Sequence, residues 1–452
     1  MTGQHDADGG ANGPDRAPPR DGSWWRRRTG GLDGRYWRLW AAVASSNLGD
    51  GLVSLALPWL ASLLTRDPLA IAGVALATRL PWLVFSLQAG ALGDRRDRRR
   101  LMIGANGVRA VVAGGVALAV LADAMTLPTL YLAAFVLGMC EVLFDNTSQA
   151  ILPGLVARDR LERANGNLMG AQMVIADFLA RPVSGALVGV ALSLPFAIDA
   201  VTAAVSAALV TSIPGSFRGA TTAGPAAAAE SPRPRMRTEV AEGVRWLWAH
   251  PLLRRLALAL AMLNGLGAAI MATYVLFVQE VLGLGGLGFG LLMAAGSVGG
   301  LLGSVLGPNV TRRLGPGPSM LLTMSVPILG FALTAVTSSA VVVAVCFAAF
   351  GFTAIVWNVV TVSLRQTLIP DDLLGRVNSV YRFFGWGSMP LGTLAGGALV
   401  SLVEDLVSRD AGLRAPFAVA AVVHLILTLA VGPRLRTRHV EEARAAAGSS
   451  TP

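Results

Sequence analysis

Glu141 and Asp145 lie four residues apart in an otherwise apolar run, with Gln149 four further on. On a helix that spacing stacks both carboxyls on one face. Two carboxylates one turn apart repel when both are ionised, so such a pair readily shares a proton, which is the chemistry of a proton carrier. Asp50 sits near the middle of another apolar run. Asp177 and Arg181, again four apart, can pair with each other. Arg79 and Arg109 complete a deep set of four acids (Asp50, Glu141, Asp145, Asp177) and three bases (Arg79, Arg109, Arg181). A charge at mid-bilayer is costly unless it faces a cavity or a partner, so each is a site candidate. In one reading the charges only hold helices in register; that reading stays open for Asp177, Arg181 and Arg109. In the other, Asp50, Glu141, Asp145 and Asp177 couple transport to protons. Asp50 and Arg79 fall at similar depth on adjacent runs and are expected to pair, with Arg109 or the solvent cavity as the alternative counterpart of Asp50. Asp199, nearer the end of its run, is expected to be less buried.

These charges need spans to carry them, and the composition supplies little else. Of 452 residues, 54% are hydrophobic and 14% charged, against about 25% charged in soluble domains. Mean hydropathy is +0.59. Apolar runs fall at approximately 39–64, 69–92, 99–124, 128–152, 165–192, 195–213, 256–282, 289–307, 319–337, 340–364, 378–403 and 415–432. Each is long enough for a transmembrane helix, so the expectation is an all-α membrane protein with twelve spans. The break at 214–255 ends in the amphipathic stretch Glu239–Pro251, expected as an interfacial helix. It divides the spans into six-helix halves, 35–213 and 256–433. Residues 1–34 and 434–452 are expected as cytoplasmic tails, the first disordered and without the apolar core of a signal peptide.

The formal net charge is +10 and every basic residue is arginine, a usage that fits a GC-rich bacterial genome. The arginines crowd into alternate connections: Arg26–Arg28, Arg95–Arg100, Arg158–Arg163, Arg233–Arg237, Arg312 and Arg313, Arg376, and Arg434–Arg438. The intervening loops hold only Arg66, Arg409 and Arg414. Topology explains this charge without nucleic acid: the rich side is cytoplasmic, both termini are inside, and the location is the inner (plasma) membrane. Cys140 and Cys346 fall in apolar runs far apart and read as core residues, with no disulfide or metal pair.

The halves repeat. Asp159, Leu161, Arg163 and Asn165 recur as Asp372, Leu374, Arg376 and Asn378, at an offset of 213. Gly185-Ala186-Leu187-Val188 is answered by Gly397-Ala398-Leu399-Val400. Between the second and third spans, Gly90, Asp94, Arg95, Arg99 and Arg100 resemble the loop signature of the major facilitator superfamily, with Asp97 where that signature has a glycine. The resemblance covers nearly all of Arg35–Arg438. It narrows to the drug:H+ antiporter group, which includes macrolide-efflux proteins and the enterobactin exporter. The residues that carry it are Ser46–Gly51, Glu242–Arg254, Asn358, Arg365, Gln366, Pro370, Gly375 and Arg376. In the fifth span Pro182 and Gly185 match the antiporter motif, while Arg181 and Ala186 replace its glycines. The resemblance implies the superfamily fold, with parallel halves. It also implies a cytoplasmic gate at the Gly90–Arg100 cluster.

The reading that follows is a proton-coupled exporter of a hydrophobic or amphiphilic small molecule, such as a drug, macrolide or natural product. It is a monomer in the bilayer without cofactor or metal, and is not an enzyme. The near alternative exports a polar metabolite such as a siderophore. A further alternative is a non-transporting scaffold or sensor, which needs neither buried carboxylates nor a two-half repeat. Gly283–Gly288 matches a dinucleotide fingerprint in letters only, because no strand precedes it. No phosphate-binding loop motif is present, so ATP is not the energy source. His424 reads as a packing residue.

Overall fold

The computed structural model describes residues 32–85, 88–89, 92–93, 96–215, 217 and 236–432. Most of the expected N-terminal tail, the linker stretch 218–235, the C-terminal tail, and Gly90, Asp94 and Arg95 lie outside the described residues. Helix α1 is Gly34–Leu64, α2 Pro68–Val84, α3 Arg98–Leu121 and α4 Leu127–Ile151. Helix α5 comprises Leu161–Gln172, a π-helical stretch Met173–Ala180, and Arg181–Val190. Helix α6 is Leu194–Thr211 and the amphipathic α7 is Met236–Ala249. Helix α8, Pro251–Leu276, continues into a π turn at Phe277–Val281. Helices α9 Gly286–Leu314, α10 Pro316–Val336, α11 Ala340–Leu368, α12 Asp371–Leu406 and α13 Arg409–Val431 complete the chain.

Among the described residues, eleven helices are long and apolar enough to cross a membrane, and α2 is a shorter apolar helix. The apolar runs fall short of several helices, α5, α9 and α12 among them, and overrun α2, which ends at Val84. Helix α12 begins at Asp371 and α5 at Leu161, several residues before the runs at 378 and 165, because the charged turns there continue as helix.

Starts are marked by capping side chains, which satisfy amides that a helix leaves unpaired. Asp33 accepts from the amides of Arg35 and Tyr36 at 2.7 and 3.3 Å. Asp67 accepts from Leu69 at 2.9 Å, with Pro68 pre-set at the first position. Asp97 accepts from Arg99 at 2.9 Å and Arg100 at 3.2 Å. The residue that stands where the loop signature has a glycine is therefore the N-cap of α3.

In the first half α1 packs on α5 and α6, α3 on α4 and α6, and α2 on α4. In the second, α8 packs on α12, α11 on α9 and α10, and α13 on α10 and α12. The halves meet along two seams, α5 with α9 and α2 with α12. Glycine permits the approach. A Cβ at Gly185 would stand 2.3 Å from the Gly286 carbonyl oxygen, and one at Gly397 would stand 2.7 Å from Ala72 Cβ.

Both seam contacts lie toward the arginine-poor end of the bundle, and one hydrophobic cluster is common to both halves. It joins Leu55, Ile71 and Phe196 to Tyr274, Phe277 and Phe289. At the arginine-rich end the core divides. Tyr36, Leu39 and Phe144 belong to a cluster of the first half, and Leu253, Trp357 and Tyr381 to a separate one of the second. The bundle is thus sealed at its arginine-poor end.

Candidate functional site

Helices α1, α3 and α6 converge on Arg109, whose side chain is 3% exposed. Its Nε and Nη2 donate to Asp199 Oδ1 at 2.9 and 2.6 Å, and Nη1 donates to Asp50 Oδ1 and, at 3.4 Å, to Ser46 Oγ. Gly49 makes room: a Cβ there would lie 2.0 Å from Asp199 Oδ1. Toward the arginine-rich end, Asn106 Nδ2 donates to Ser206 Oγ at 2.7 Å, and Ser206 Oγ donates to the Ala42 carbonyl at 2.7 Å.

Two expectations are corrected. The partner of Asp50 is Arg109 on α3, not Arg79. Helix α2 packs away from this junction, against α4 and α12, whereas α6 carries α1 and α3 on it. Asp199 is not a peripheral residue: it is fully buried and its Oδ2 has no hydrogen-bond partner. Its signal was an isolated acid in an apolar run. Distance from the end of that run was a poor measure of burial, since the neighbouring helices cover α6 there.

Glu141 and Asp145 extend the cluster from α4. Asp50 lies within electrostatic range of Glu141, Asp145, Asp199 and Arg109, and Asp145 within range of Glu141 and Arg109. Two carboxyls thus pair with one guanidinium, and two more lie within electrostatic range of it. Asp50 is the member that meets both the buried pair and the α4 acids, and its side chain is 20% exposed. On α5, Asp177 and Arg181 pair at 2.8 Å across the π-helical stretch, both partly open.

At the arginine-rich end, Arg99 donates through Nε to the Val210 carbonyl at 3.2 Å and through Nη2 to that of Thr211, both on the last turn of α6. Arg98 Nη1 donates to the Ala150 carbonyl of α4 at 2.6 Å. Cations there meet the negative ends of two helices. Arg100 contributes its amide to the Asp97 cap.

In the second half, Arg376 pairs with Glu242 of α7 at 2.7 Å, tying the amphipathic helix to α12. Arg365 donates to Asn378 Oδ1 and lies 4.1 Å above the centre of the Tyr381 ring. Pro370 is the residue before α12, while Gln366 and Gly375 are exposed. His424 is buried, with Nδ1 2.9 Å from the Ala420 carbonyl and its ring against Phe331, a packing role. Among the described residues, no group of three or more His, Cys, Asp or Glu side chains is placed to hold a metal ion.

The arginine-poor end carries a charged bridge between halves. Arg66 Nη1 donates to Gln279 Oε1 at 2.6 Å, and Gln279 Nε2 donates to Ser62 Oγ at 2.8 Å. Arg409 pairs with Glu280 at 2.9 Å and with Glu404 at 2.6 Å, and donates to the Arg66 carbonyl at 2.8 Å.

Two six-helix halves, sealed at one end and enclosing buried charge, define a multi-pass transporter of the membrane. Residues 39–393 match the Major Facilitator Superfamily, and the chain belongs to that family. It is 24% identical over 363 residues to the enterobactin exporter EntS of Escherichia coli O1:K1, covering 80% of this chain and 84% of the relative. Over 146 residues it is 33% identical to an uncharacterized MFS-type transporter of Mycobacterium tuberculosis, covering 31% and 32% of the two chains. Among solved structures, a variant of the nucleoside transporter NupG superposes with a TM-score of 0.70 at 13% identity, covering 89% of this chain and all of that one. An inward-facing bacterial homologue of the iron transporter ferroportin superposes at 0.63 with 17% identity, covering 87% and 98%.

Proposed function

We propose that this protein is a proton-coupled secondary transporter of the inner (plasma) membrane, exporting a hydrophobic or amphiphilic small molecule from the cytoplasm. One observation carries the reading: Asp50 and Asp199 both pair with a single buried guanidinium, Arg109, and Glu141 and Asp145 lie within electrostatic range of it. With all four ionised the cluster holds three surplus negative charges in a membrane interior, so protons are its natural counter-charges. A proton taken up on Asp50 competes with Arg109 for the same carboxylate and loosens the joint between α1 and α3. That gives protonation a differential effect on two conformations, which population shift requires. Each proton crossing with the membrane potential contributes about 2.3 kcal/mol per 100 mV.

The arginine asymmetry supports cytoplasmic termini, so the sealed end is external and this conformation faces inward. Arg99, with Asp94 and Arg95 beside it in sequence, suits a cytoplasmic gate. The polar-metabolite alternative is supported by the enterobactin exporter, whose alignment spans most of this chain.

The test is efflux from proteoliposomes under an imposed proton gradient. Its cargo comes from a susceptibility panel in an efflux-deficient host with and without the gene. Glu141→Gln and Asp145→Asn should each abolish gradient-driven efflux while leaving the folded yield normal. If both variants pump at the wild-type rate, the proton does not use α4.

A further inference from the structure

Arg79 is exposed although it lies within the apolar helix α2. Among the described residues no acid pairs with it. An unpartnered guanidinium facing hydrocarbon is costly, which argues for an aqueous face at Arg79. Its charge acts on Arg181 of α5. Helix α2 packs on α4 and α12, and α5 packs on α1 and α9, so the two helices stand at the two separate seams of the bundle. Arg79 and Arg181 thus lie within electrostatic range of each other, although their helices stand at separate seams.

The balance of charge there is positive. Arg181 is matched by Asp177 at 2.8 Å, and both side chains remain partly open. Arg79 adds a second guanidinium with no second carboxylate. This is the reverse of the Arg109 cluster, where acids outnumber the base. Three residues on from Arg79, hence on the same helix face, Trp82 meets Trp386 of α12 with ring centroids 6.3 Å apart. Trp386 is exposed, and Trp82 Nε1 is buried without a partner. Aromatic walls beside a free guanidinium suit a flat apolar body bearing a planar anion, which arginine binds through two parallel hydrogen bonds.

We infer that Arg79, assisted by Arg181 and the Trp82–Trp386 pair, forms an anion-binding subsite of the cavity, and that the transported amphiphile carries an acidic group such as a carboxylate. The inference rests on the reading of this protein as a transporter of amphiphiles and gives their class. Asp177 then acts as an internal stand-in that keeps Arg181 occupied while the cavity is empty.

The test is equilibrium dialysis of the full chain in lipid nanodiscs against radiolabelled 2-naphthoate and its neutral counterpart 2-naphthamide, with empty nanodiscs subtracted. The wild type should bind the carboxylate more tightly, by roughly tenfold for a charge-assisted pair. Arg79→Gln should remove that preference and leave naphthamide unchanged, and Arg79→Lys should keep part of it. Asp177→Asn, which releases Arg181, should tighten naphthoate alone. A wild type without preference for the carboxylate, or a preference that survives Arg79→Gln, overturns the subsite. Should Arg79→Gln fail to fold, Asp177→Asn decides, and unchanged naphthoate affinity overturns it. Equilibrium binding needs no proton gradient, so failure of proton coupling and failure of this subsite give different results.

Discussion

In the first half, Arg109 of α3 draws Asp50 of α1 and Asp199 of α6 onto one guanidinium. At the arginine-poor end of the second half, the packing is made of rings instead. Tyr274 of α8 stacks on Phe347 of α11 at 4.7 Å, with Phe289 at 5.9 Å and Phe417 at 6.3 Å. Charge fixes one geometry and fails abruptly when a partner is lost. Ring contacts are numerous, individually small and tolerant of shifts. The charged joint is therefore sensitive to the loss of any one partner, whereas the buried ring cluster spreads its stabilisation over many contacts.

The sharpest way to break this comparison is Arg109→Gln. It strands Asp199, which is fully buried, and should cost about 3–5 kcal/mol, read as a large drop in melting temperature of the purified protein. Adding Asp199→Asn should return part of that loss. Strict additivity in the cycle would show that the pair is not energetically joined.

A smaller effect is expected from packing alone. Gly49→Ala drives a methyl into Asp199 Oδ1 and should cost about 1–3 kcal/mol. Gly267→Ala in α8, where a Cβ meets nothing within 4 Å, should be neutral or stabilising. Equal melting temperatures for the two variants would mean that Gly49 does not guard the charged joint.

The least effect belongs to Tyr274→Phe. The hydroxyl is buried without a hydrogen-bond partner, so its removal should leave stability unchanged or slightly raised. A loss above about 1 kcal/mol would reveal a polar contact in the aromatic joint and blur the distinction between halves.

The spans, the amphipathic helix before α8 and the two-half repeat were all legible from apolar runs and offsets, because hydropathy registers what lipid must cover. Asp177–Arg181 was legible too, since both residues sit on one helix and the four-residue interval decides their meeting. The partners of Arg109 were not. Which face of α1, α2 and α6 turns toward α3 depends on packing between helices, and depth along the chain placed Asp50 beside Arg79 instead. Asp97 shows the opposite failure. An Asp just before a helix is a readable cap, but comparison with a loop signature made it a missing glycine.

The seams carry a last consequence. At Gly185 and Gly286 the halves touch main chain to main chain, leaving no room for even a methyl. The contact between halves is thus specified there by volume and not by side-chain chemistry. On the proposed anion subsite, a descendant gene would rewrite its cargo through Arg79 and Trp386 without touching these glycines. Change at the seams themselves would alter the mechanics before it altered the diet.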